Sequence, residues 1–578
     1  MDSVYGMVRF DGHFISPADV CSVERRAQSS YVNPGKGAGN VNDQVWYGRH
    51  EMLGFLPSGC RRDDAAQHAP WRHQQSGCVI TAQARIDNRV ELAAALDNAA
   101  EAGADTPDIQ LILLAYLRWG RDCLPRLLGS FAFAIWDEPS QLMFCARDPM
   151  GTASFAYVHL RNYFAFASNP EWLLGLPGVS ARPNALLVAE FLVPALTAPP
   201  SRVTWREGVL ALLQGEYLVL GPGQRLQVSR WWEPPPVETV SYTSDHEIEE
   251  HFRSLFKEAV RCRMSVGEGP TALMMSGGID SMAIAATMHQ LLPSTTRLST
   301  YSGVFDGAAE SVETRSILSL VDAFNCDATL ISVPSLTGPL SIDDLIEVAW
   351  SKPHPVDNSL LVPSMACLAA SRRGETAMLH GVSGDIASGV PIFYIARLIQ
   401  AHRWSLAWSE SQAASKNNVY LRGRSPYWMI GRGALGVMLP TELKRWVRLA
   451  GWALQGRDRH GLPAETKLLN KDLLHQFQRS EFQKTFTSLS EQIPKDTSSS
   501  EMNFAVLASG QSGYGLIGRR FGIKLSDPWA DLRLLQFFRN LPIERKVREG
   551  WTKYPVRKAL SSKAGAAVIW RKDKEHVG

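Results

Sequence analysis

Along residues 7–232, short apolar runs are separated by Gly, Pro, Asn and Asp. The runs at 78–86, 130–136, 142–147 and 163–167 carry the β-branched and aromatic content of strands, and the residues between them favour turns. One segment departs from that rhythm. Over 108–119 apolar residues recur at helical spacing, and Gly120 follows directly, as helix C-termini favour. These elements predict a mainly β, α+β layered domain. The stretch Trp231-Trp232-Glu233-Pro234-Pro235-Pro236 then breaks regular structure, because consecutive prolines fix φ and remove backbone donors. A domain boundary placed there divides the chain into 1–236 and 237–578.

Beyond the boundary the pattern changes to helices (245–264, 282–292, 312–324) alternating with short apolar strands (271–275, 297–305, 328–333, 376–379). Such alternation predicts an α/β domain with a parallel sheet covered on both faces. Past residue 389 the spacing is mostly helical, with a polar loop expected at 494–500. There are no internal repeats.

A chain of 578 residues exceeds one core of ordinary size, so composition agrees with two domains. Hydrophobic residues at 45% and charged residues at 20% argue against a disordered or fibrous protein. A net charge of +3 supplies no field to recruit nucleic acid or a membrane surface, so neither is expected as a partner. The eight cysteines show no CxxC pair or zinc-like spacing, and are expected to be reduced and mostly buried. The first residues lack a basic and apolar secretion signal, and no segment reaches the roughly 18 apolar residues that span a bilayer. A cytoplasmic location is expected.

The chemistry concentrates in one place. The apolar run 271–275 leads into Ser276-Gly277-Gly278-Ile279-Asp280-Ser281 and then into an apolar helix. Two glycines allow the backbone close to an anion, and the free N–H groups of the helix start favour phosphate there. Asp280 would repel bare phosphate, so a carboxylate beside the cradle makes sense if it holds Mg²⁺. The plainer reading is a Gly-rich turn with Ser281 as a helix N-cap. No Walker-type GxxxxGK[ST] is present.

The string SGGIDS resembles the pyrophosphate loop of enzymes that split ATP between its α and β phosphates, and specifically that of the asparagine synthetase family. Further ordered segments carry the resemblance. Ala84-Arg85-Ile86-Asp87-Asn88-Arg89, the run 128–137 and Ala146-Arg147-Asp148-Pro149 look like the family's glutaminase-domain signatures. Gly381-Val382-Ser383-Gly384-Asp385, Pro528-Trp529-Ala530-Asp531 and Lys553-Tyr554-Pro555-Val556-Arg557 look like its synthetase-domain signatures. The resemblance implies a layered Ntn-hydrolase-like β domain, then an adenine-nucleotide α-hydrolase-like (PP-loop) synthetase domain with a helical C-terminal part. It also implies ATP and Mg²⁺ as cofactors. Asp280 and Asp385 would bind the metal, with Ser276, Gly277, Gly278, Asp280 and Ser281 cradling phosphate and Leu379 and Gly381 bordering the nucleotide. Lys553 would face the reacting carbonyl, with Lys553 and Asp385 as the catalytic pair; for Lys553 the plainer reading is a solvated helix-start lysine.

The chain departs from the glutamine-using pattern at two places. Asp2 stands where those members have the nucleophilic cysteine, so glutaminase activity is expected to be absent and the first domain to be a degenerate scaffold. Val382 stands where asparagine synthetases have a glutamate. The combination resembles relatives whose nucleophile is part of the substrate: lasso peptide macrocyclases, to which the Trp551-Thr552-Lys553 run and the enlarged helical region are closer, or β-lactam synthetases acting on a small β-amino acid. The macrocyclase reading implies a precursor peptide as substrate, with a leader peptidase and a leader-binding protein as partners. An inactive nucleotide- or peptide-binding scaffold is the alternative of another class.

Three weaker signals remain. The basic segment 422–459 carries Tyr427, Trp428, Trp446 and Trp452; it could dock a peptide or partner protein, but is expected instead to lay Arg and Lys stems over buried tryptophans. His246 and His251 lie five residues apart, which puts them on different helix faces and excludes a zinc pair. His354, Asp357 and Ser359 are candidates for an acceptor pocket.

Overall fold

A computed structural model describes residues 3–29, 44–56, 70–96, 103, 106–192, 202–221, 223, 225–238, 240–264, 271–304, 311–332, 361–388, 394–418, 421–439, 443, 470–473, 475, 513–515, 517–561 and 566–572. The expected loop at 494–500, the acceptor-pocket candidates His354, Asp357 and Ser359, and Trp446 and Trp452 lie outside the described residues.

The first part of the chain forms two six-stranded sheets packed face to face. The strand Ser3–Arg9 shows how sequence period sets the layers. Its side chains alternate, so Val4 and Val8 join the core shared with the second sheet, whereas Tyr5 and Met7 face an outer layer with Val23 and Trp172. The strand Val79–Ile86 pairs antiparallel with Gly129–Asp137, and the helix Asp108–Trp119 covers that second sheet through Leu111, Ile112 and Ala115. The layers therefore run helix, sheet, sheet, helix. Asp108–Trp119 has the bounds its periodicity predicts, and Gly120 ends it at φ +58. The helices Pro17–Ser29 and Ala185–Leu192 were not expected from the sequence. The first has little apolar content to mark it; the second is apolar all round and gives no face to read.

The second part holds a five-stranded, wholly parallel sheet in the order Asp327–Ser332, Ser299–Val304, Ala272–Met274, Ala377–Leu379, Lys524–Ser526. The last strand, three residues long, also escapes a pattern reading. Helices Asp245–Arg261, Ile279–Leu291 and Leu532–Asn540 bury one face through Phe252, Met282 and Phe538. Helix Leu361–Arg372 buries the other through Met365 and Leu368. From the central strand Ala272–Met274 the chain first crosses to one side and later returns on the other. The loops after Ala272–Met274 and Ala377–Leu379 thus face each other at a topological switch point, where sheets of this kind open a crevice.

The two parts meet through buried charge. Arg263 reaches Asp531 at 3.0 Å and Asp87 at 3.7 Å, while Arg85 holds Asp87 at 2.7 Å. Arg519 reaches back to Gln83 at 3.1 Å and to Ser154 at 3.3 Å. Among the described residues no helix is long and apolar enough to cross a membrane. Cys78, Cys123, Cys145, Cys326 and Cys367 are buried free thiols, while Cys21 is exposed.

Candidate active site

The loop after Ala272–Met274 turns at Gly277, whose φ of +70 suits glycine; a Cβ there would come within 3.0 Å of the Glu313 carbonyl oxygen. Gly278, not Ser281, caps the following helix Ile279–Leu291. Ser281 lies inside the first turn, donates to the Gly278 carbonyl at 3.1 Å and sits 3.3 Å from the Ser276 hydroxyl. The N-cap alternative for Ser281 is therefore corrected: its short side chain closes the loop from within.

The facing loop packs hard against this one. A Cβ on Gly381 would lie 3.2 Å from the Asp280 carbonyl carbon, and one on Gly384 only 2.3 Å from the Asp280 carboxyl carbon. Both positions need glycine for that close approach. Asp527 fixes the facing loop by accepting from Ser383 N at 2.9 Å, and with its other oxygen caps the Pro528–Ala530 turn by accepting from Trp529 N at 2.9 Å. Leu379, at the end of its strand, is fully buried beneath both loops.

Onto this pair of loops the C-terminal part brings Lys553. Its Nζ lies 2.6 and 2.5 Å from the two carboxylate oxygens of Asp280 and 2.7 Å from Asp385. Positions 280, 385 and 553 thus converge. The lysine side chain is only 4% exposed, against 19% for Asp280 and 44% for Asp385. The solvated-lysine alternative is corrected by this burial. Burial alone would push the Lys553 ammonium down, but the Asp280 and Asp385 carboxylates outweigh it and hold it above its ordinary value. Lys553 also adopts φ +55 and ψ +35, the left-handed region that costs a side-chain-bearing residue energy and clusters at functional sites.

Sequence reading missed three contributors. Trp529, fully buried against Phe252 and Phe256, donates to the Asp280 carbonyl at 3.2 Å and lies beneath the Lys553 ammonium at 5.9 Å. Arg557 donates to the Thr552 carbonyl at 2.9 Å, and burial pushes its guanidinium down to about 10. His380 is buried against Tyr514, and burial pushes its imidazole down. Trp529 and Arg557 had a sequence signal, as parts of the segments 528–531 and 553–557; His380 had none.

Val382 is 45% exposed at this crevice. The expectation of a buried ring fails at Trp428, the one tryptophan of the basic segment among the described residues: it is 43% exposed with Arg424 and Arg432 each 5.3 Å from its ring, and Tyr427 is 76% exposed. Arginines flank a ring on an exposed helix face and do not cover a buried one. His251 hydrogen-bonds Tyr242 at 2.9 Å through its Nδ1. Asp87, Cys262 and Asp531 form a metal-like cluster, but the Arg263 guanidinium binds both carboxylates.

A layered amidotransferase-type domain ahead of a parallel-sheet synthetase domain, with paired carboxylates at a Gly-rich helix start, defines the class. Comparison with known proteins gives the family. The asparagine synthase family matches residues 251–578 and the glutamine amidotransferase domain matches residues 58–232. The chain belongs to the asparagine synthase family. It is 32% identical to asparagine synthetase (glutamine-hydrolyzing) 3 of Bacillus subtilis over 182 residues, covering 31% of this chain and 29% of that one. It is 27% identical to putative asparagine synthetase (glutamine-hydrolyzing) 2 of Methanocaldococcus jannaschii over 313 residues, covering 54% and 58%. To amidase chry2 of Gibberella zeae it is 30% identical over 203 residues, covering 33% and 28%. The chain thus spans between 28% and 58% of the length of these curated relatives.

Proposed function

We propose that this protein is an ATP-dependent, AMP-forming amide-bond synthetase acting on a substrate that carries its own amine. The observation that carries the reading is Lys553 Nζ within 2.7 Å of both Asp280 and Asp385 at a Gly-rich helix start. The donor set fits a divalent cation: two hard carboxylates already gather around a positive charge, with the ammonium standing where the ion would sit. Bound Mg²⁺ would neutralise phosphate charge and polarise the α-phosphate.

In this reading the backbone N–H groups of Gly277, Gly278 and the helix start hold the β and γ phosphates. A substrate carboxylate attacks the α-phosphate, pyrophosphate leaves along the loop, and an amine attacks the acyl carbon of the adenylate. Lys553 would balance negative charge on the tetrahedral intermediate and the departing AMP, with Asp280 and Asp385 left to hold the metal. Val382 offers no acid or base where a glutamate would stand, which favours an amine that the substrate itself holds in place.

The finer reading is a lasso peptide macrocyclase, which activates an Asp or Glu side chain of a precursor peptide and closes a ring with the peptide's N-terminal amine, without hydrolysing glutamine. A leader peptidase and a leader-binding protein would precede it in the pathway. The test is turnover of Mg·ATP with a synthetic core peptide, free at its amine and bearing an internal Asp or Glu. AMP, pyrophosphate and a peptide lighter by one water are expected. Formation of ADP would overturn the AMP-forming reading, and a requirement for glutamine or ammonia would return the chain to asparagine-type synthesis.

A further inference from the structure

Lys553 reaches the two aspartates from a backbone conformation that its own side chain disfavours, so something outside the site must hold its loop. The turn 548–553 concentrates unusual backbone: Glu549 and Lys553 have φ of +54 and +55, two of five such non-glycine residues among those described. Gly550, at φ +74, fits so closely that a Cβ would lie 2.5 Å from Ala413 C and Ala414 N, in the helix Trp404–Asn417. From the same helix Glu410 points a carboxylate, 6% exposed as a residue, at the turn. One oxygen accepts from Glu549 N and the other from Gly550 N, each at 3.0 Å. Asn417 donates to the Glu549 carbonyl at 3.0 Å.

Burying a carboxylate costs several kcal/mol unless its lone pairs are filled. Burial pushes Glu410 up and the two backbone N–H groups pull it back. Among the described residues its hydrogen-bond partners are the turn's own amides.

We propose that Glu410 is a positioning residue: its carboxylate clamps the 549–550 amides and thereby holds Lys553 in the left-handed conformation that aims Nζ at Asp280 and Asp385. The proposal rests on the synthetase reading only in giving the lysine chemistry to do. The clamp itself is a property of the free protein. It assigns the helix Trp404–Asn417 a role in the site through the backbone of the turn.

Two measurements test it on the full chain. The first needs no substrate: the rate at which acetic anhydride labels Lys553, read by mass spectrometry against the other lysines. In the wild type Lys553 should be strongly protected, in Glu410→Ala it should label at least about tenfold faster while the remaining lysines keep their rates, and Glu410→Gln, which keeps one acceptor oxygen, should fall between. Unchanged Lys553 labelling in a folded Glu410→Ala protein overturns the clamp, as does a uniform rise across all lysines, which would mean general unfolding. The second is the split between kcat and KM for the AMP-forming reaction. Displacing one catalytic group costs about a hundredfold in kcat, with KM for ATP little changed, because the phosphate loop is untouched. Equal loss in both would overturn a positioning role. If the wild type forms no AMP, the synthetase reading fails by itself and the labelling still decides the clamp.

Discussion

The indole Nε1 of Trp529 donates to the main-chain carbonyl of Asp280 at 3.2 Å, joining positions 249 residues apart in the chain. The bond braces the first turn of the helix Ile279–Leu291 from behind, and the ring supports the Lys553 ammonium from below. Trp529→Phe would keep an aromatic ring in the core but remove the indole donor that supplements the helical bond to the Asp280 carbonyl. A loss of about 1–3 kcal/mol by urea unfolding is expected, with a fall in AMP formation larger than the stability change explains.

Gly384 bears directly on the same carboxylate. A methyl group there would lie 2.3 Å from the Asp280 carboxyl carbon, so Gly384→Ala must push Asp280 aside. A folded protein with AMP formation reduced about a hundredfold is expected, measured beside its melting temperature to separate misplacement from unfolding. Retained activity would show that Asp280 need not stand where the structure puts it.

Lys553→Met removes the positive charge between two carboxylates. Amide formation should be lost, and Asp280 and Asp385, now uncompensated, should draw a divalent cation more strongly. The melting temperature of the variant is therefore expected to fall without metal and to rise with added Mg²⁺ more than that of the wild type. A variant equally stable with and without Mg²⁺ would contradict the metal reading.

The pH dependence of stability should report the junction between the two sheet systems. Burial alone would raise Asp531, but the hydrogen bond from Arg533 and the charge of Arg263 hold it at about 2, below its ordinary 3.8. A depressed value in the folded state stabilises above the unfolded value, and that contribution is lost as pH falls from 3.8 toward about 2. The shift corresponds to about 2 kcal/mol. Asp531→Asn should lower stability near neutrality and flatten its decline between those pH values, as read from chemical unfolding at each pH.

The local order of strand, glycine turn and helix at 271–281 was legible because each step has its own chemistry: a buried apolar run, residues free to turn, and a helix start without side-chain bulk. The helix Asp108–Trp119 was legible for the same reason, a long apolar period closed by a glycine. What escaped was whatever depends on distant partners. The strand Lys524–Ser526 is too short to show a period and exists because Ala377–Leu379 offers it an edge. Nothing local marks Lys553 as left-handed or Glu410 as its clamp. Trp428 was expected to be buried because aromatic residues usually are, yet in this helix it faces outward between two arginines. Motif resemblance brought Asp280, Asp385 and Lys553 into one argument, but Arg85, Asp87 and Asp531, read from similar motifs, turn out to meet around Arg263 at the junction.

The central claim is that Asp280 and Asp385 share one metal–nucleotide complex while Lys553 gives way to it. Its most direct measurement is a crystal of the full chain grown with Mn²⁺ and α,β-methylene-ATP, with the metal located by its anomalous scattering. The account predicts a manganese peak in contact with both carboxylates, the triphosphate along 276–281, and the Lys553 ammonium moved from between the aspartates toward the α-phosphate. A metal bound elsewhere, or a lysine still bridging Asp280 and Asp385 beside a fully bound nucleotide, would contradict it.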